Sequence, residues 1–206
     1  MRLTDLPAAG KAEKAKMPPA AWLFFQRWMA NPKSMGSITP SSAALRKLVR
    51  ENIVCGPDEV VVEFGGGTGA ITRALLEAGI PGERVYSFEL DNQLARYLRG
   101  AFPDINVIAD DCRKAAELLG PEIVGRVGTV VICIPTATLP PSVQREVVDA
   151  AFSIMPRGNR FILYTYMPKS TLNQKALNIR GKRLDWTPLN VPPASVWGYW
   201  RDEQPA

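Results

Sequence analysis

From residue 59 onward the chain alternates between two hydrophobic patterns. "EVVVEF" (59–64), "RVYSFEL" (84–90), "INVIA" (105–109), "VGTVVICI" (127–134) and "NRFILYTY" (159–166) are short apolar runs rich in β-branched and aromatic residues. Runs of that length and composition predict strands. Segments with helical spacing separate them: "AITRALLEAG" after the first, "NQLARYLRGAF" after the second and "SVQREVVDAAFSIM" after the fourth. Near-continuous apolar strands separated by helices predict a parallel sheet covered on both faces. The tail differs: "IRGKRLDWTPL" and "SVWGYWR" alternate around a Pro-rich turn, as an antiparallel hairpin would. The expected fold is α/β, a doubly wound sheet with a C-terminal antiparallel hairpin. Ligands of such sheets bind at the carboxyl ends of the strands.

The first 58 residues carry no strand pattern. Residues 1–17 are dominated by Ala, Lys, Gly and Pro, and are expected to be flexible. A helix is predicted from Pro18-Pro19 to just before Asn31-Pro32. On it Trp22, Phe24, Phe25, Trp28 and Met29 fall with Ala21 within an arc of roughly 160°, with Leu23 breaking the polar side. Two readings stay open: a helix packed on the core, or one lying on a membrane surface. The loop "NPKSMGSITPSS" leads to a second helix capped by Ser41 or Ser42. The expected organisation is a basic N-terminal piece with an amphipathic helix, residues 1–35, followed by one domain, residues 36–206.

Composition narrows the chemistry. The chain has 206 residues, is 46% hydrophobic and carries a net charge of +5, which favours an acidic partner, either nucleic acid or an anionic lipid surface. Basic residues gather near both ends: Lys11, Lys14 and Lys16 at the first, and Lys169, Lys175, Arg180, Lys182 and Arg183 toward the second. With no histidine, a His-based triad, a His zinc site and imidazole base catalysis are excluded. Cys55, Cys112 and Cys133 match no metal or disulfide spacing, so no metal is expected and a reducing compartment is. No apolar run reaches the ~18 residues needed to span a bilayer, and the first 16 residues lack a signal core.

The strongest local signal is "VVVEFGGGTGAIT". Its glycines lie between a strand and a helix, where Gly65 and Gly67 allow a sharp turn and close approach to a ligand. About twenty residues on, the second strand ends in Glu89, placed to accept from both ribose hydroxyls. The third strand ends in Asp110-Asp111, where a carboxylate can accept from an adenine amine. No Lys-Ser/Thr follows the glycines, which argues against a phosphate-cradling loop. Glu63, inside the first strand, would repel a pyrophosphate and tolerate a cationic ligand. Together these favour S-adenosylmethionine over a dinucleotide.

"EFGGGTG", an acid ending the second strand and Asp ending the third are similar to the Rossmann-like class I S-adenosylmethionine-dependent methyltransferases, over roughly residues 36–166. The resemblance implies that Glu63, Gly65 and Gly67 line the methionine end, with Ser37 near the carboxylate. It implies that Glu89 holds the ribose and Asp110 reaches the adenine amine with the Asp111 backbone beside it; Gly36, Phe64, Leu90 and Ile134 are further cofactor-binding candidates. The glycine pattern also resembles that of ribosomal RNA adenine dimethylases, but those carry a further helical domain. The fourth strand ends "CIPTATLP", without the polar acceptor and aromatic ring that hold a base in nucleic-acid amine methyltransferases.

"FFQRWMANPKSMGSITPSS", "LYTYMPKS" and "NVPPASVWGYWR" together resemble the bacterial phospholipid N-methyltransferases of the soluble Rhizobium/Agrobacterium type. That resemblance implies methylation of phosphatidylethanolamine, through its monomethyl and dimethyl forms, to phosphatidylcholine. The alternative is an RNA adenine or small-molecule amine N-methyltransferase. An activated donor and an amine acceptor allow catalysis by alignment and desolvation. Tyr164, Tyr166, a fixed water or a backbone carbonyl would receive the proton. Tyr164, Tyr166 and Trp197 or Tyr199 are candidates for caging the methylated ammonium, and Arg180, Lys182 or Arg183 for the lipid phosphate. Expected partners are an anionic phospholipid surface and the lipid substrate, without nucleic acid. The protein is expected to be a monomer in the cytoplasm, held peripherally at the inner face of the bacterial membrane.

Overall fold

The computed structural model describes residues 42–201. The predicted membrane-facing residues Trp22, Phe24, Phe25, Trp28 and Met29 lie outside that range, as do Gly36 and Ser37. The first described helix, α1 (Ala43–Asn52), is capped by Ser42, whose side chain accepts from the Leu45 N–H at 3.2 Å. Leu45, Leu48 and Val49 form its buried stripe.

Strands and helices then alternate: β1 (Val60–Phe64), α2 (Ala70–Glu77), β2 (Val85–Phe88), α3 (Asn92–Ala101), β3 (Asn106–Ile108), α4 (Ala115–Leu119), β4 (Val127–Ile132), α5 (Pro141–Ile154) and β5 (Phe161–Thr165), all as predicted except α4, a helix that the sequence pattern did not announce. A single helical turn, α6 (Gln174–Leu177), leads to the hairpin of β6 (Arg180–Thr187) and β7 (Ala194–Trp200). One sheet collects the strands in the order β3-β2-β1-β4-β5-β7-β6. β1 to β5 are parallel, and β7 runs antiparallel to both β5 and β6. The chain winds outward from β1 through β2 to β3, then returns to place β4 on the other side. The resulting crevice between β1 and β4 is where a doubly wound sheet takes its ligand.

Burial explains this order. β1 and β4 are buried at every position, as central strands covered on both faces must be. On one face Val60, Val62 and Phe64 meet α5, through Val143, Val147 and Ile154. On the other, Val61 packs with Leu45 and Val49 of α1 and Ala74 and Leu75 of α2. The edge falls to β6, whose Lys182 and Arg183 are exposed, and charged side chains on an edge discourage pairing with a further strand. The hairpin was expected at the sheet's edge; its second strand, not its first, lies against β5. Tyr199 is the reason, because it is fully buried and stacks on Phe161 of β5 at 5.0 Å.

The tight turn out of β1 depends on Gly69, the residue before α2, at φ 78°. A side chain there would put a Cβ 2.1 Å from the ring of Phe102. Among the described residues no helix is long and apolar enough to cross a membrane.

Candidate cofactor and acceptor site

A cavity opens at the carboxyl ends of β1, β2 and β4. Gly65, Glu89, Leu90, Asp110, Asp111 and Ile134, all predicted to contact a cofactor, line it together. Phe88, Cys112, Arg113, Pro135, Leu139, Val143 and Val147 complete its wall. Gly65 stands at φ 91°, and a Cβ there would lie 2.8 Å from Cγ2 of Ile134. A side chain at this position would therefore crowd the space between β1 and β4.

Glu89 is buried at the end of β2. Its two oxygens accept from the backbone, Oε2 from Gly67 N–H at 2.8 Å and Oε1 from Asp91 N–H at 2.9 Å. Burial raises its pKa, and these two N–H groups oppose the rise. The loop glycine and the predicted ribose acid are thus bonded directly to each other. Each carboxylate oxygen keeps a second lone pair for a vicinal diol.

At the end of β3, Asp110 Oδ1 accepts from the Asp111 N–H at 2.7 Å and from Lys114 Nζ at 2.9 Å. The Lys114 bond holds its carboxyl below the ordinary range. Both of these bonds fall on Oδ1, so Oδ2 can accept from an adenine amine. Asp111 does something else. Burial opposes its ionisation, yet the bonds from Arg113 prevail and its pKa is lowered. Arg113 bonds to Asp111 Oδ2 through Nε at 2.8 Å and reaches Glu146 of α5 at 2.5 Å. This network ties the loop after β3 to α5, and residues of both line the cavity.

Two predicted residues support the site from behind. Phe64 is fully buried, edge-on to Phe88 at 5.6 Å, and only its backbone borders the turn. Glu63 points to the opposite face from Phe64, as strand alternation requires. Its Oε2 accepts from Thr72 Oγ1 at 2.7 Å and Ser87 Oγ at 2.6 Å, under α2. It is not among the residues lining the cavity. Burial pushes its pKa up to about 7, against those two hydrogen bonds.

The predicted acceptor residues separate into three places. Tyr164 and Tyr166 share the α1–α2 face near the carboxyl end of β5, their rings edge to face at 6.1 Å. Trp197 is on the other face, stacked on Tyr199 at 6.4 Å, with its Nε1–H donated to Ser195 Oγ at 3.2 Å. One cage cannot include all three, because neighbouring positions of a strand face opposite ways. Arg180 pairs with Trp200 and Lys182 with Gly198, which is opposite Ile162 in β5. These two cations therefore lie toward the amino end of β5, away from the cofactor cavity, and this corrects their expected place at the acceptor end. The antiparallel return of β7 is the cause: the start of β6 lands at the foot of the sheet.

The sequence signals missed Arg113, Glu146, Val143 and Val147. The i, i+4 spacing of Val143 and Val147 marks a buried helix face, but nothing local shows which strand ends that face covers. The residues present fit S-adenosylmethionine. A paired-oxygen acid for the ribose, an acid with an unused oxygen for the adenine amine, and an apolar wall for the ring converge on one cavity.

No family model matches the chain. It is 27% identical over 179 residues to an ornithine lipid N-methyltransferase of Singulisphaera acidiphila, covering 85% of this chain and 93% of that protein. It is 30% identical over 89 residues to the ribosomal RNA small subunit methyltransferase A of Thermotoga petrophila, and there it spans only 33% of the relative. Among solved structures, the magnesium protoporphyrin IX methyltransferase of Synechocystis, with bound S-adenosylmethionine, superposes with a TM-score of 0.60 at 13% identity, covering 94% of this chain and 100% of that one. An S-adenosylmethionine-dependent O-methyltransferase of Thermotoga maritima gives 0.56 at 10% identity, over 86% and 72%. The chain has the fold of the class I S-adenosylmethionine-dependent methyltransferases, and the residues at its strand ends fit that cofactor.

Proposed function

We propose that this protein transfers methyl groups from S-adenosylmethionine to the amine of a membrane lipid. The observation that carries the reading is the likeness to the ornithine lipid enzyme along 85% of this chain, well beyond the cofactor turn. Phosphatidylethanolamine is the first substrate to test, on the strength of the sequence resemblance, and ornithine lipid the second. Both present an amine on a head group that stays anchored in a bilayer. The 89-residue match to the ribosomal RNA enzyme supports the RNA alternative over a shorter stretch, and that alternative gains nothing from the end of β4.

The bound cofactor supplies a methyl group on a sulfonium, already activated toward an amine. The protein's part is placement. Glu89 would hold the ribose through both oxygens, Asp110 the adenine amine through Oδ2, and Phe88, Leu90, Ile134 and Val147 the faces of the ring. Tyr164 and Tyr166 stand at the carboxyl end of β5, the strand next to β4, where their ring faces would attract a methylated ammonium. An amine must lose a proton to attack, and without histidine that proton would pass to water, directly or through a tyrosine hydroxyl that gives up its own proton as it accepts. Alignment in a site closed to bulk water then provides most of the acceleration. In the cell the enzyme would work as a monomer at the inner face of the cytoplasmic membrane.

The test is methyl transfer from labelled S-adenosylmethionine to vesicles containing phosphatidylethanolamine, to vesicles containing ornithine lipid, and to total RNA. Label is expected in one or both lipids. Label found in RNA alone would refute the proposal.

A further inference from the structure

Four of the most exposed large apolar side chains gather at one end of the sheet. Leu189 is 81% exposed, Val191 70%, Met167 57% and Trp186 54%. The register explains their proximity. Thr165, the last residue of β5, lies opposite Ser195 of β7, which lies opposite Trp186 of β6. The connection from 188 to 193 therefore extends past the carboxyl end of β5, and Met167 follows that end by two residues. The connection, "PLNVPP", contains no charged residue. Asn190 fixes its shape from inside, buried and donating to the Pro192 carbonyl at 2.6 Å. This is an ordered apolar tip, held outward.

Behind the tip the character changes. Arg183 and Lys182, both exposed, lie three and four residues back along β6, roughly 10–13 Å from Trp186 at strand spacing. Lys169, also exposed, follows Met167 by two residues. From 166 to 200 the chain carries Lys169, Lys175, Arg180, Lys182 and Arg183 against Asp185 as its one acid. An apolar tip with cations about 10 Å behind it has the layering of a bilayer surface, where acyl chains lie beneath a layer of phosphates.

We propose that the β6–β7 tip, with Trp186, Leu189, Val191 and Met167, inserts into the lipid surface and holds the mouth of the site against it. The inference rests on the lipid reading above, which requires a substrate that stays anchored by its acyl chains. The mouth must then come to the membrane, because the head group cannot travel to a distant site. The tip is suitably placed: β6 is three strands from β4, roughly 14 Å across the same sheet end as the cofactor cavity. Lys182, toward the foot of the sheet, and Arg183, level with the middle of β5, instead meet the phosphates of the surrounding lipid.

The experiment uses the full chain and two variants. Leu189→Ser/Val191→Ser is expected to lower the partition onto vesicles of phosphatidylethanolamine and anionic phosphatidylglycerol roughly tenfold or more, from the loss of two inserted aliphatic side chains. Its melting temperature and its affinity for S-adenosylhomocysteine are expected to be unchanged. Brominated acyl chains are expected to quench the tryptophan fluorescence of the parent protein, and Trp186→Phe to lose part of that quenching. Unchanged partition in the double variant, or unchanged quenching in Trp186→Phe, would overturn the proposal. So would a dimer in light scattering that the double variant dissolves without loss of vesicle binding, which would assign the tip to a second copy. Methyl transfer to lipid dispersed in detergent micelles separates this outcome from the enzymatic one. Its absence in the parent protein would sink the lipid reading, whereas its presence beside unchanged vesicle binding would sink only the role of the tip.

Discussion

Glu63 makes the stability of this protein depend on pH in a direction opposite to that of most carboxylates. Its side chain is fully buried beneath α2, and desolvation lifts its pKa from 4.5 to about 7. Below pH 4.5 the carboxyl is protonated whether the chain is folded or not, and its burial costs no charge. As the pH rises toward 7 the unfolded chain releases the proton and the folded chain keeps it. Stability therefore falls across that window, and above 7 the loss is complete. A shift from 4.5 to about 7 corresponds to about 3 kcal/mol in total, at 1.36 kcal/mol per unit. Most of it, about 2–3 kcal/mol, falls between pH 5 and 8.

Glu63→Gln removes the titration and keeps the shape. An amide oxygen can accept from Ser87 and Thr72 as Oε2 does, and the amide nitrogen would lie toward the Cys133 sulfur, now 3.9 Å from Oε1. Denaturant melts of both proteins at several pH values measure the difference. The variant is expected to gain about 2–3 kcal/mol relative to the parent between pH 5 and pH 8, or roughly 5–10 °C in Tm for a chain of this size. Parallel stability curves over that range would refute the reasoning. They would mean that water or a structural adjustment solvates Glu63 after all.

Other outcomes follow from the site. Glu89→Ala removes the acceptor for Gly67 N–H and both proposed ribose bonds, so calorimetry should show S-adenosylhomocysteine affinity falling about 100-fold, from two charge-assisted bonds at ~1.5 kcal/mol or more each. Gly65→Ala places a methyl 2.8 Å from Ile134 Cγ2 at a positive φ. It should weaken cofactor binding at least about tenfold and lower stability by about 1–2 kcal/mol, with Ile134→Ala in the same chain restoring part of the binding. Arg180→Ala should leave kcat for a lipid in detergent micelles within about twofold, because its strand position lies at the foot of the sheet. A loss much larger than the ~0–1 kcal/mol of an exposed charge would return Arg180 to the acceptor site.

The amino-acid sequence determined much of this protein by short-range physics. Continuous β-branched runs specify buried strands, Gly69 specifies the turn into α2, and Glu89 and Asp110 sit at strand ends because the strand pattern stops there. These features need only a few neighbouring residues, so the convergence of Gly65, Glu89 and Asp110 on one cavity was legible in the chain itself. What lay farther apart was not. Arg113 meets Glu146 across 33 residues, and no local pattern announces a contact between a loop and a helix that far along the chain. The strand period places Glu63 on one face of the sheet, but only packing shows that Thr72 and Ser87 enclose it there. The hairpin was visible as two alternating segments; which of them would pair with β5 was not. That choice rests on Tyr199 finding Phe161, a tertiary contact, and it carried Arg180 and Lys182 to the foot of the sheet while raising Leu189 and Val191 to its top.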